Sequence, residues 1–445
     1  MKDRLFEIWF SLRCGIANKE FQPLLEAYGT PYDLFNADEA ELEKLPCSQS
    51  LKSRLADKSL REAAHITEYC KENGVEILFW QDEDYPASLR PLRDPPVLLY
   101  YKGHLPALSR RLCISVVGTR TMSEYGKRMA YKIGYELAAA GTVVVSGLAL
   151  GNDSVAAAGA ISAGGHTVAV LGCGIDTVYP REHERLCKET MIRGAVMTEF
   201  PPATPPEGKN FPIRNRIISG LSQGTVVIEG DLRSGALITA RTAIMQGRDI
   251  YAFPGNVGET NSAGTNQLIS DGAAIVLKAR DVLDNYTFLY RDALDMARLL
   301  KAETRSEPDD EVLGRLGVCV RTSPVRRSEG SVPAQTEQSL RPPRRSKADE
   351  PGTDSVPPRA TAKSSPAPAA PPVSTPAKGD ASQRILAQLT DTQRRIFEAL
   401  PLDHAVPIDH ITREGFSVGE VMAAMTILEI RGLTVTLPGG LYARK

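Results

Sequence analysis

The 445-residue sequence lacks any excess of one charge, with 53 lysines and arginines against 54 aspartates and glutamates. A site for a polyanion must therefore be a local concentration of charge, because no global field exists to supply it. Seven cysteines (14, 47, 70, 113, 173, 187 and 319) lie scattered, with no C-x-x-C pair and no Cys/His cluster at metal spacing, so no metal site is expected. No run approaches the roughly 20 apolar residues of a membrane span, and the opening MKDRLFEIWF carries acids instead of a secretion-signal core. Both features point to a soluble, cytoplasmic protein. No Ser/His/Asp trio, paired carboxylates or G-x-G-x-x-G turn is present, so no catalytic residues, no cofactor and no enzymatic activity are expected. Finally, no aromatic residue occurs between Tyr290 and Phe397.

What is present divides the chain into several modules, since a length of this size exceeds one ordinary core. Residues 1–73 show helical periodicity broken by turn signals such as Gly29-Thr30-Pro31 and Asn73-Gly74, which predicts a separate small all-α unit. Residues 74–300 open with two short apolar, aromatic strands near 75–80 and 96–101. Apolar strands then alternate with helical segments at 113–117, 142–146, 167–171, 195–199, 225–229, 249–253 and 274–277. Continuous runs such as Val143-Val144-Val145 suit strands buried on both faces, so an α/β fold with a doubly wound parallel sheet is expected. Residues 301–382 are rich in Pro, Ser, Ala and Arg and read as a disordered linker. Residues 383–445 read as helix, short helix (408–413), longer helix and a hairpin, which predicts a C-terminal winged helix. From 384 to 445 seven Lys/Arg meet seven Asp/Glu, and the longer helix has no cation before its end, so a protein-contact or regulatory role is expected over sequence-specific DNA reading.

Ligands of such sheets sit outside the carboxyl ends of the strands, and five turns there carry the chemistry. The first holds Gly118, Thr119 and Arg120, and the second Ser146 and Gly147, offering hydroxyls, backbone amides and charge to an anion. Asp153 is expected to cap the following helix. The third, Leu171-Gly172-Cys173-Gly174, keeps side chains away for a ligand or another loop, with Cys173 a small buried thiol. The fourth holds Lys209, Asn210, Phe211, Arg214, Asn215 and Arg216 at a helix start, combining guanidinium forks with a ring that stacks on a base. The fifth holds Arg233, Ser234 and Gly235 at another helix start. Glu199 and Glu229, at strand ends, are expected to orient arginines; His166 should begin a strand and His183 face solvent.

At these residues the chain resembles the DNA processing protein A family (DprA, also called Smf). The matching motifs are VVGTR at 116–120, VVSGLA at 144–149, VAVLGCGIDTVYP at 168–180, FPIRNRIISGLS at 211–222, RSGALITA at 233–240, and FPG with GTNQLISDGA within 253–273. The resemblance implies an extended Rossmann-like domain, a sterile-alpha-motif-like helical unit before it and a winged helix after it. It further implies single-stranded DNA binding without sequence preference, a homodimer through the Rossmann-like domain, and loading of the RecA recombinase during natural transformation. One departure stands out: Leu150, Asn152 and Ala157 replace the arginine, isoleucine and histidine of the family pattern, which implies one cationic contact fewer and a shallower salt dependence. The alternative is a nucleotide-binding enzyme or sensor on the same scaffold, similar to the lysine-decarboxylase-like nucleotide hydrolases; their P-G-G-x-G-T-x-x-E motif is missing, with Gly224, Thr225 and Glu229 a faint echo.

Overall fold

A computed structural model describes residues 4–320 and, toward the C-terminus, 389–401, 406–407, 411–412, 416, 418–430, 433–437 and 441–444. Six helices come first: α1 (Leu5–Cys14), α2 (Phe21–Tyr28), α3 (Pro31–Asn36), α4 (Glu39–Glu43), α5 (Gln49–Ala56) and α6 (Arg61–Glu72). The turn signals become caps. The Thr30 hydroxyl accepts from Asp33 N while the Asp33 carboxylate accepts from Thr30 N, and Pro31 sits at the first helical position, where its missing N–H costs nothing. Asp38 and Glu41 repeat the device at α4. These helices pack around α1, with Trp9 against Phe35, and their core is continuous with that of the sheet region. Ile8, Trp9, Phe10 and Leu51 belong to the same buried cluster as Val97 and Tyr100 of the sheet region and Ala130 of the helix layer.

The sheet has nine strands: β1 (Glu76–Phe79), β2 (Leu98–Gly103), β3 (Cys113–Val117), β4 (Val143–Ser146), β5 (His166–Val170), β6 (Ala195–Thr198), β7 (Gly224–Val227), β8 (Asp249–Ala252) and β9 (Ala274–Ile275). Their spatial order is β1-β2-β6-β5-β4-β3-β7-β8-β9. From β6 through β9 every pairing is parallel, and β1 and β2 add an antiparallel edge beside β6. Alternate residues serve opposite faces, as strand geometry requires. Ile114, Val116 and Val144 join the layer of α7 (Glu124–Ala139) and α8 (Asn152–Ser162), whereas Val117, Val143 and Val145 join that of α10 (Asn210–Leu221) and α11 (Gly235–Met245). α9 (Glu184–Arg193) links β5 to β6. α7 and α8 meet closely because Gly134 and Gly159 lack side chains: a Cβ on Gly159 would stand 2.3 Å from Tyr131 O.

Strand order reverses at β3, with β4 on one side and β7, reached only after three further strands, on the other. That is the switch point at which a doubly wound sheet leaves a crevice.

α12 (Thr260–Ser270), α13 (Ala279–Leu283) and α14 (Met296–Ala302) follow, and α15 (Asp310–Arg315) occupies sequence expected to be linker. Leu313, Leu316 and Val318 are buried in the cluster that holds α7 and α8, so the linker assignment is corrected at its start: folded chain continues to residue 320. Residues 321–382, the rest of that assignment, lie outside the described residues.

The C-terminal unit contains α16 (Asp391–Ala399), β10 (Val406–Pro407), α17 (Val418–Ile430), β11 (Thr434–Leu437) and β12 (Leu441–Arg444). β12 lies between β10 and β11 in an antiparallel sheet, and Ile396, Leu400, Val421 and Leu428 form its core with the helices. This is the winged-helix arrangement. Most of the expected short helix at 408–413 and the glycine loop at 438–440 fall outside the described residues.

Candidate nucleic-acid interface

The turns after β3 and β7 open a cleft of about 540 Å³ at the switch point. Eight of the fourteen residues singled out from sequence line it: Gly118, Thr119 and Arg120 after β3, Phe211, Arg214 and Asn215 on α10, and Ser234 and Gly235 at the start of α11. Ser234 caps α11, its side chain accepting from Leu237 N. Ser123 caps α7, accepting from Gly126 N. Both caps point helix N-termini toward the same edge, where aligned backbone dipoles favour negative charge.

Phe211 is the centre of an aromatic and cationic group. The Arg120 guanidinium lies 5.3 Å from its ring centroid and that of Arg214 lies at 5.8 Å. The exposed Tyr179 ring is 5.4 Å away, tilted by 37°. The Phe211 ring fits only because position 172 is glycine, where a Cβ would come 2.9 Å from Phe211 Cδ1. The third turn therefore makes room for another loop. Phe211 is half-buried and Arg120 exposed, so a ring face and a charge remain accessible together.

Arg214 differs from the exposed phosphate-binding residue expected from sequence. It is 4% exposed, and its Nη1 donates to the carbonyl oxygens of Gly147 and Val170. A Cβ at Gly147 would collide with the guanidinium, so this glycine accommodates protein and not a ligand. Beside it Asp153, 6% exposed, accepts from Gly118 N at 3.2 Å and Gly147 N at 3.0 Å. Asp153 is not an N-cap; that position is Gly151. Burial pushes the Asp153 carboxyl above its ordinary value, with the Arg214 charge and the two amides pulling the other way. Burial likewise lowers the Arg214 guanidinium to about 10, opposed by Asp153. The amides at 118 and 147 are thus already satisfied by protein, and the cleft floor is an internally compensated acid and base.

Six expected site residues do not reach the cleft wall. Arg216 is 5% exposed and points to the other side of α10, where Nη2 meets Glu199 Oε2 at 2.5 Å and Nε lies 3.7 Å from Asp94. Two steps along a helix rotate a side chain by about 200°, so Arg214 and Arg216 cannot share a face. Ser146 is fully buried, accepting from Leu148 N, and Gly147 lies under Arg214. Asn210 is buried and donates to Pro205 O. Lys209 is exposed and ion-paired with Glu207 at 2.7 Å, and Arg233 is exposed outside the wall.

Glu199 orients an arginine as expected and also accepts from Ala17 N at 3.3 Å. Glu229 does not. It accepts from the Ser123 amide and hydroxyl, fixing the start of α7. Cys173 is buried, which pushes its thiol up to about 11. His166 begins β5, but His183 is fully buried, contrary to the solvent-facing expectation. Its Nδ1 donates to Leu148 O at 2.9 Å and its Nε2 accepts from Cys319 N at 3.4 Å. Among the departures from the family pattern, Asn152 and Ala157 are fully buried, Leu150 is half-buried, and none lines the cleft.

Tyr179, Ile218, Ile238 and Thr239 line the cleft and were not singled out. Tyr179 had a readable signal, an aromatic next to proline in the VYP loop after β5. Among the described residues no cluster of acids, histidines and cysteines is built to hold a metal, and no helix is long and apolar enough to cross a membrane.

The class defined by these features is a doubly wound α/β protein with an aromatic and guanidinium-lined cleft at its switch point, followed by a winged helix. A family model described as DNA recombination-mediator protein A matches residues 76–287, and one described as DprA winged helix domain matches 365–440. The sequence is 38% identical over 214 residues to the DNA processing protein DprA of Bacillus subtilis, spanning 48% of this chain and 72% of that one. It is 36% identical over 291 residues to the DprA of Streptococcus pneumoniae, spanning 65% of this chain and 100% of that one. An X-ray structure of DNA processing protein A from Streptococcus pneumoniae superimposes with a TM-score of 0.56 at 33% identity, covering 64% of this chain and 98% of the other. The chain belongs to the DNA processing protein A family, DprA/Smf.

Proposed function

We propose that the chain binds single-stranded DNA at the switch-point cleft, with one or more bases stacking on Phe211 and Tyr179 and backbone phosphates meeting Arg120. The observation that carries this reading is the accessible Phe211 ring with an exposed guanidinium 5.3 Å from its centroid and a second ring at 5.4 Å. Every base has a π-face, so such a platform takes unpaired strands without sequence preference. Lys209 and Arg233, at the approach to the cleft, steer the strand electrostatically, with Lys209 weakened by Glu207. Ser234, Gly235 and the hydroxyl of Thr119 supply polar contacts at the rim.

The role is binding and not turnover. Glu199 and Glu229, the two strand-end carboxylates, are both engaged by protein partners, which leaves neither poised for acid-base work. The family's description as a recombination mediator supports delivery of the bound, protected strand to the RecA recombinase in the cytoplasm during natural transformation. A homodimer through the Rossmann-like domain is supported by the sheet edge: β9 is a terminal strand with exposed Ile275, followed by exposed Leu277, and α11 ends on exposed Ile244 and Met245.

Photocrosslinking tests the binding site. An oligonucleotide carrying bromodeoxyuridine, irradiated in complex with the full chain and mapped by mass spectrometry, is expected to label Tyr179 or Phe211. Labelling confined to other aromatics contradicts the reading.

A further inference from the structure

A second concentration of positive charge lies on α9, outside the cleft. Arg185, Lys188 and Ile192 are exposed at i, i+3 and i+7 and so share one helix face. Together with Arg193 and with Arg315 at the end of α15, the two cations line a cavity of about 410 Å³ that contains one acid, Glu189. Lys188 is paired with Glu184 at 2.7 Å. Arg185, Arg193 and Arg315 have no carboxylate within ion-pair distance among the described residues.

The arrangement is built by the fold. α15 is bipolar: Asp309 caps its start, Asp310 pairs with Lys127 at 2.5 Å, and Asp310 and Glu311 stand in the first turn while Arg315 stands in the last. The burial of Leu313 and Leu316 holds the helix against the domain and fixes Arg315 beside α9. Arg315 comes from beyond the segment matched by the recombination-mediator model, which ends at residue 287. Three unpaired guanidiniums in one cavity repel each other, and a multivalent anion relieves that repulsion. The chain itself leads from the cleft toward the pocket: Tyr179 lines the cleft, exposed Arg181 follows two residues later, and α9 then runs roughly 14 Å to Arg193 at 1.5 Å per residue, away from the cleft edge of the sheet.

We propose that the α9–α15 pocket is a second phosphate-binding station, gripping the backbone of the single strand that leaves the cleft past Tyr179 through the forks of Arg185, Arg193 and Arg315. This rests on the single-strand reading of the cleft. Planar guanidinium forks match phosphate oxygens in pairs, and the pocket offers no aromatic for a base, so the station reads backbone and lengthens the site.

The test is a fluorescence-anisotropy titration of the full chain and an Arg185→Ala/Arg193→Ala/Arg315→Ala variant with short (about 6) and long (about 30 nucleotide) oligothymidylates over a salt series. The variant is expected to bind the short strand like wild type. For the long strand its log affinity against log salt should lose about 2 units of slope, three contacts at about 0.7 each. An unchanged slope for the long strand, with both strands bound by wild type, overturns the pocket. If wild type binds only the long strand and the slope still depends on the three arginines, the pocket stands and the cleft reading falls; if neither strand binds, both fall.

Discussion

Replacing Arg214 by methionine should destabilise the protein in a pH-dependent way. The side chain is 4% exposed, bonds two carbonyl oxygens, and supplies the charge that most offsets the burial of Asp153. Breaking a buried ionic arrangement by removing one partner costs about 3–5 kcal/mol. Part of this is independent of pH, since the carbonyls of Gly147 and Val170 lose a donor at about 1–3 kcal/mol for a group left unsatisfied. The remainder follows Asp153. Its folded carboxyl already titrates above the unfolded value, so its ionisation destabilises the fold as pH rises through the folded pKa, and the penalty is absent below the unfolded value. Without Arg214 the folded pKa moves further up and the penalty at neutral pH grows. Differential scanning calorimetry should therefore show a Tm deficit of about 6 °C near neutrality for a unit of this size, shrinking to roughly half near pH 4. A deficit that is equal at both pH values, or below about 1 °C at neutrality as for an exposed arginine, would refute the assignment of Arg214 to the cleft floor.

Glu199→Gln removes the closer of the two acids facing the buried Arg216 and should cost about 3 kcal/mol in urea unfolding, with DNA affinity of the folded protein unchanged. Gly172→Ala places a methyl 2.9 Å from the edge of Phe211, displacing the ring while leaving the core intact. It should weaken oligothymidylate binding by a fraction of the about 1–3 kcal/mol of a stacking contact, with little change in Tm; full affinity would remove Phe211 from the interface. Burial lowers the His183 pKa, so its contribution to stability is present above the unfolded value of about 6.5 and lost as pH falls through the folded value. His183→Gln should therefore show a smaller Tm difference between about pH 7.5 and pH 5.5 than wild type, and an identical difference would remove His183 from the acid response.

The fold was legible because strands buried on both faces must be apolar throughout, and runs such as 143–145 announce themselves. The place of the cleft was legible for the same reason: once the sheet is doubly wound, the crevice follows from topology. What individual residues do there was less so. Arg214 and Arg216 look alike in sequence, yet helical rotation sends one to the cleft floor and the other to Glu199. Glycine in a turn signals close approach without naming what approaches; at 147 and 172 it is Arg214 and Phe211, while at 235 the space stays open. The burial of His183 is not legible locally because its acceptor is Leu148 and its donor Cys319, 35 and 136 positions away. The start of the supposed linker was hidden by the Pro- and Arg-rich sequence after it, although Leu313 and Leu316 already sit three apart, as one face of a helix requires.

The central claim is that an exposed Arg120 and Phe211, and not the arginines at 214 and 216 as a pair, form the DNA contact. Its most direct test is the affinity of oligothymidylate for wild type and for Arg120→Ala/Phe211→Ala, titrated over a salt series with Tm measured alongside. The account predicts a loss of tenfold or more and a slope lower by about 0.7, from one stacking contact and one phosphate contact, at an unchanged Tm. Wild-type affinity and slope in the double variant would contradict it.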